Sequence, residues 1–79
     1  MKAKVYVTLK PSILDPQGKT IAQALPTMGY DPINDVRQGK FFELDIDIDS
    51  AEAVRKTALE VAERVLANPV IENCRVEVE

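Results

Sequence analysis

From Lys2 to Lys10 the chain alternates without a break. Ala3, Val5, Val7 and Leu9 fall on one side of an extended backbone; Lys2, Lys4, Tyr6, Thr8 and Lys10 fall on the other. Period two with β-branched residues predicts a half-buried strand, which Pro11 stops. The period then changes. Asp15 is a good helix N-cap, and Pro16 suits the first helical position, where its missing N–H costs nothing. Ile21, Ala24, Leu25 and Met28 follow at helical spacing, with Gly29 as a C-terminal cap. Pro26 removes a hydrogen bond and clashes with the preceding turn, so a kink or loosening is expected near Ala24-Leu25. After a turn at Tyr30-Asp31-Pro32, the chain reads as extended from Ile33. Phe42, Leu44, Ile46 and Ile48 form one face of a strand, and Phe41, Glu43, Asp45 and Asp47 the other. Gly39-Lys40 interrupts this stretch either as a hairpin turn or as a bulge in one long bent strand, and the pattern leaves both open.

Asp49 or Ser50 caps a second helix, with Glu52 placed like the far partner of a capping box. Its buried stripe is read as Val54, Ala58, Val61, Ala62 and Val65. Glu52, Lys56, Glu60 and Arg64 alternate in sign at i,i+4 positions on the wet side, each pair worth ~0.2–0.5 kcal/mol. Asn68-Pro69 ends the helix. A last strand runs from about Ile71 to Val78, with Cys74, Val76 and Val78 inward and Arg75, Glu77 and Glu79 outward. The order β-α-β(β)-α-β predicts an α+β, ferredoxin-like two-layer sandwich: an antiparallel sheet with two helices on one face. The first strand is expected at the centre. Its outward Lys2, Lys4 and Lys10 then meet Glu43, Asp45, Asp47, Glu77 and Glu79 on the neighbouring strands.

Composition narrows the function classes. At 79 residues a single domain, 1–79, is the expectation, with a marginal core that gains from oligomerisation. One cysteine and no histidine exclude an internal disulfide and a Cys/His zinc site. A net charge of −3 offers no footprint for nucleic acid. No apolar run is long enough for a membrane span, and the N-terminus lacks a signal-peptide core, so a cytoplasmic protein is expected. The chain shows no Ser/His/Asp set, no phosphate loop and no CxxC. The row Glu43, Asp45, Asp47, Asp49 places neighbouring carboxylates ~7 Å apart, which suits a solvated strand face better than one metal ion. Cys74 lacks a base and reads as a small core hydrophobe.

What remains points to contacts with other chains. Gln17 and Gly18 sit in the first turn of a helix, where a glycine costs up to ~1 kcal/mol relative to alanine and often marks close backbone approach. Replacing both by alanine is expected to weaken assembly while leaving the fold largely intact. Phe41 and Phe42 point to opposite faces, so one of them leaves the core; Tyr6 also projects outward. Leu59 and Leu66 widen the apolar arc of the second helix beyond a core stripe. Surplus apolar groups in so small a domain suggest a protein–protein surface.

Three runs carry a resemblance: Leu14-Asp15-Pro16-Gln17-Gly18, Val36-Arg37-Gln38-Gly39-Lys40, and Leu66-Ala67-Asn68-Pro69-Val70-Ile71-Glu72. In combination and spacing they resemble the PurS family, small subunits of phosphoribosylformylglycinamidine (FGAM) synthase. The resemblance covers nearly the whole chain; Pro26 departs from the ordinary helix former usual there. It implies a role in de novo purine synthesis. The assembly would convert formylglycinamide ribonucleotide, glutamine, ATP and water to formylglycinamidine ribonucleotide, glutamate, ADP and phosphate. It implies a homodimer (or a dimer of dimers) that joins a PurL-type ATP-dependent synthetase and a PurQ-type glutaminase and supports ammonia transfer. This chain would hold no catalytic residue, cofactor or metal; ATP and Mg would belong to the synthetase. The expected interface residues are Tyr6, Asp15, Gln17, Gly18, Gly39, Lys40, Phe41, Leu59, Leu66 and Asn68.

Three other readings suit the same topology. An amino-acid-binding regulatory module is usually fused to an enzyme. A hydrolase of the acylphosphatase type needs an arginine after the first strand, where Lys10-Pro11-Ser12-Ile13-Leu14 has none. A metal carrier needs paired cysteines.

Overall fold

A computed structural model describes Met1–Glu79. Three strands, β1 (Lys2–Leu9), β2 (Gly39–Asp45) and β3 (Glu72–Val78), form one antiparallel sheet in the order β2-β1-β3. The alternation in β1 decides what faces where. Ala3, Val5 and Val7 are fully buried beneath the helix α2 (Ala51–Val61), while Lys4 and Tyr6 lie on the open side. Phe42 and Leu44 on β2, and Cys74, Val76 and Val78 on β3, continue the inner face. Phe41 is the phenylalanine that leaves the core, half exposed on the outer face.

The expected charge complementarity across strands is present. Lys2 pairs in register with Asp45, and Lys4 with Glu43 on one side and Glu77 on the other. Lys4 Nζ reaches the carboxylate of Glu79 at 2.6 Å. Gly39 is neither a turn nor a bulge. It is the first residue of β2, paired with Thr8, and the register runs unbroken from there to Asp45 opposite Lys2. Residues 33–38 form no strand within the chain.

α2 starts at Ser50 rather than Asp49: the Ser50 hydroxyl accepts from Ala53 N–H at 3.3 Å. Val54, Ala58 and Ala62 are fully buried against β1, the two alanines letting helix and sheet approach closely. Beyond Val61 the stripe departs from expectation. Ala62–Leu66 is a π-helical turn, closed by Ala67 N–H donating to the Ala62 carbonyl at 2.8 Å. A π turn takes one residue more than an α turn, so everything after it rotates. Leu66 swings in over Val5, Val7 and Ala62, while Val65, expected inside, is 75% exposed. Leu66 is therefore a partly buried side chain that packs against the core of this chain.

α1 (Pro16–Ala24) ends at Pro26 without kinking. Proline has no N–H for the helical ladder, and Pro26–Met28 becomes a 3₁₀ turn closed by Gly29 at φ 94°. Only α2 covers the sheet broadly; Gly18 is the one buried residue of α1. Met28 is 68% exposed, and Ile21 and Tyr30 are also exposed. The molecule measures 49 × 25 × 14 Å with a radius of gyration of 15.8 Å, against about 12 Å for a compact domain of this length. Eight residues of 79 are buried. A chain this open gains stability from covering its apolar residues with another chain.

The π turn makes a specific prediction. Leu66→Ala removes a side chain packed over the sheet and is expected to cost about 2 kcal/mol in urea unfolding. Val65→Ala, one residue away, is expected to change stability by about 0.5 kcal/mol or less. A regular α-helix would give the reverse order.

Candidate functional site

Asp15 organises one end of the molecule. It is the N-cap of α1, directly before Pro16, and receives N–H donors from two segments. Its Oδ1 accepts from Gly18 N–H at 3.0 Å as the helix cap; its Oδ2 accepts from Gln38 N–H at 2.7 Å, just before β2. These backbone donors, Gln38 first and then Gly18, with the nearby Arg37 guanidinium, hold the carboxyl below the ordinary aspartate range. Its residue exposure is only 6%. One carboxylate thus caps α1 and ties the chain entering β2 to that cap.

Gly18 has its reason here. A Cβ at Gly18 would stand 2.4 Å from both the Asp15 Oδ2 and the Val36 carbonyl oxygen. The close approach anticipated at this glycine is internal. Asp15 and Gly18 are thus held by contacts within the chain, and the expectation that alanine at Gly18 leaves the fold largely intact meets the close approach of Asp15 and Val36, one of which must shift to admit a Cβ. Gln17 remains exposed, its side-chain carbonyl accepting from Gln38 Nε2 at 2.5 Å. Gly39 is also fixed internally, since a Cβ there would meet the Val7 carbonyl oxygen at 2.6 Å.

Asp15, Gln17, Gly39 and Lys40 converge on a cleft of about 350 Å³ that Val7 and Leu9 of β1 also line. Glu72 closes the far wall. Its Oε2 lies 3.9 Å from Lys40 Nζ, and its Oε1 accepts from Asn68 N–H at 2.7 Å. Asn68 in turn folds the 68–72 loop: its side-chain oxygen accepts from Val70 N–H at 3.1 Å and its carbonyl from Glu72 N–H at 2.7 Å. Its role is to shape that loop, and Glu72 links the loop to the cleft.

The other expected residues lie elsewhere. Tyr6 and Phe41 stack on the outer sheet face with ring centroids 5.1 Å apart. Leu59 is on the outside of α2, 41% exposed. Three residues outside the expected set matter as well. The Arg37 guanidinium donates to the Leu9, Lys10 and Ile13 carbonyls at 3.4, 3.1 and 3.3 Å, pinning the loop after β1. Gln38 supplies both donors described above. Arg75 lies over the Tyr6 ring. For Arg75 the outward alternation of β3 was the available signal; Arg37 and Gln38 sit in an aperiodic stretch that gives none. No three acidic or cysteine side chains converge within range of one metal ion.

The arrangement shapes surfaces and offers no nucleophile paired with a base. Residues 2–79 match the family profile described as "PurS: Phosphoribosylformylglycinamidine (FGAM) synthase". The chain belongs to the PurS family. It is 49% identical over 78 residues to the FGAM synthase subunit PurS of Bacillus subtilis, covering 99% of this chain and 92% of that one. To its counterpart from Mycobacterium leprae it is 50% identical over 74 residues, 91% of this chain and 87% of that one. The crystal structure of Methanocaldococcus jannaschii PurS superposes with a TM-score of 0.88 at 33% identity, covering 99% of this chain and 94% of that one. A chain of the Thermotoga maritima PurLQS structure gives 0.87 at 28% identity, covering 96% and 93%.

Two outcomes follow from the Asp15 clamp. Gly18→Ala is expected to destabilise the chain by ~1–3 kcal/mol in denaturant titration, through the clash with Val36 and Asp15. Because the folded Asp15 carboxyl titrates below its unfolded value, its stabilising contribution is complete above about pH 4 and is lost as pH falls through the lowered value. The unfolding midpoint of Asp15→Asn measured against pH should have a shallower acid limb than that of the parent chain.

Proposed function

We propose that this chain is the non-catalytic assembly subunit of FGAM synthase, joining the ATP-dependent synthetase subunit to the glutaminase subunit. As a PurS-family member it is a subunit of a ligase of purine biosynthesis. The observation that carries the finer reading is its likeness over almost its full length to a chain of the Thermotoga maritima PurLQS assembly. The physical character of the chain supports it. With eight residues buried and an extended outline, the chain has more to gain from contacts with other chains than a closed domain does. A homodimer is its first assembly, covering the exposed apolar side of α1 and the free edge of β2.

The chemistry explains the need for such a subunit. Glutamine hydrolysis releases ammonia at one active site, and the amidine forms at another with ATP and Mg bound by the synthetase. Neutral ammonia is the nucleophile, and in bulk water at neutral pH it protonates and diffuses away. Holding the two sites in a closed assembly keeps it dry and unprotonated. A subunit that does this needs stable surfaces and no reactive groups. No helix of the chain is long and apolar enough to cross a membrane, and purine assembly from charged ribonucleotides belongs in the cytoplasm.

Turnover should be measured with the synthetase and glutaminase subunits of the same organism, with and without this chain, using glutamine or ammonium chloride as nitrogen source. Glutamine-dependent turnover is expected to require the chain, and ammonia-dependent turnover to proceed without it. Equal glutamine-dependent rates in its absence would refute the assembly role.

A further inference from the structure

The two edges of the sheet are not alike. In an antiparallel ladder, a residue bonded to its neighbour points both its N–H and its carbonyl at that neighbour, and the next residue points both away. Glu79 N–H donates to the Lys2 carbonyl and Lys10 N–H to the Ile71 carbonyl. The bonded positions of β3 are therefore odd-numbered, and Glu72, Cys74, Val76 and Val78 turn their backbone groups to the edge. Ile46 N–H donates to the Met1 carbonyl, so on β2 the edgeward residues are Gly39, Phe41, Glu43 and Asp45.

On β2 nothing in the chain bonds the edgeward groups, which run uninterrupted along the strand. On β3 two of the four edgeward positions are already engaged. Glu72 N–H donates back to the Asn68 carbonyl at 2.7 Å. The Val76 carbonyl accepts from the Arg55 guanidinium at 3.3 Å, reached from α2 across the edge. Cys74 stands alone between them and Val78 at the end, so β3 has no two successive edgeward positions free. The Arg55 bond is not incidental to a charge pair. Glu52, one turn back on α2, could take the charge at i,i+3, yet Arg55 enters none of the chain's three ion pairs.

We propose that Arg55 closes the β3 edge, its guanidinium laid over the Val76 carbonyl where a second strand would pair, and so confines strand pairing between copies of this chain to the β2 edge. The β2 half rests on the homodimer reading above; the β3 half stands without it. A strand added along β3 has to displace the guanidinium at the middle of the edge and the 68–72 loop at its start. Sheets avoid open growth by covering an edge in this way. With one edge closed and one open, pairing stops at two copies.

The test is sedimentation equilibrium of the parent chain, of Arg55→Met, which keeps the stem and loses the donors, and of Lys56→Ala as a control for loss of one positive charge on exposed α2. Salt at about 0.5 M shortens the Debye length to ~4 Å and screens carboxylate repulsion between edges in every sample. The weight-average mass of Arg55→Met is expected to reach roughly twice that of the parent at equal concentration, with the control matching the parent. Amide hydrogen exchange at Cys74, Val76 and Val78 is expected to slow in the larger species. Equal masses for Arg55→Met and the parent would overturn the closure, as would a larger species whose exchange at these three amides stays fast. Either result leaves the homodimer reading standing. In the parent itself, the edgeward amides of Phe41, Glu43 and Asp45 are expected to be protected and to lose protection on dilution. Fast exchange at these amides in a parent dimer would overturn the confinement to β2 and leave the Arg55 comparison intact.

Discussion

The pairing of β1 with a strand on each side fixes the two faces of this molecule at once. Because side chains alternate along a strand, one register places Ala3, Val5 and Val7 under α2 and Lys2, Lys4 and Tyr6 outside. A slip of one residue in either neighbour would put carboxylates into the core and leave the lysines of β1 facing apolar side chains, Phe42 and Leu44 on β2 or Val76 and Val78 on β3. The hydrophobic and the electrostatic requirements therefore select the same register. The small residues along α2 follow from it, since the fully buried surface of β1 is made of alanine and valine and receives a close-packed helix.

The second constraint is the shared carboxylate of Asp15. A helix cap normally satisfies donors of its own helix alone. Here the other oxygen also binds the backbone entering β2, so the start of α1 and the start of β2 are positioned together. Gly18 and Gly39 mark where this demands backbone contact too close for a side chain. The cleft beside Lys40 and Glu72 follows from the same arrangement. Asp15, Gln17, Gly39 and Lys40, scattered along the chain, frame one cleft.

What was legible in the sequence was what has a period. The strand faces, the order of the sheet, the cross-strand charge pairs and the cap at Asp15 all follow from alternation, helical spacing or a local rule. The π turn was not legible. Val61, Ala62 and Val65 keep regular α spacing, and only the packing of Leu66 over Val5 and Val7 reveals the extra residue. The roles of Gly18 and Arg37 were hidden for a different reason. Each depends on a segment distant in sequence, Val36 for the glycine and the carbonyls of Leu9, Lys10 and Ile13 for the arginine. The site residues were recognisable as a set through family runs, but their grouping into a cleft, an outer row and a loop needed three dimensions.

A three-stranded sheet has two edges, and in this chain both β2 and β3 leave a row of backbone donors and acceptors without a strand beyond them. Such edges invite uncontrolled growth by strand addition. Each edge strand carries carboxylates on its outward positions, Glu43 and Asp45 on one and Glu77, with Glu79 just past its end, on the other. In-register stacking of identical edge strands would bring these carboxylates together. The acidity that gives this protein its low isoelectric point also opposes indiscriminate strand addition at its open edges.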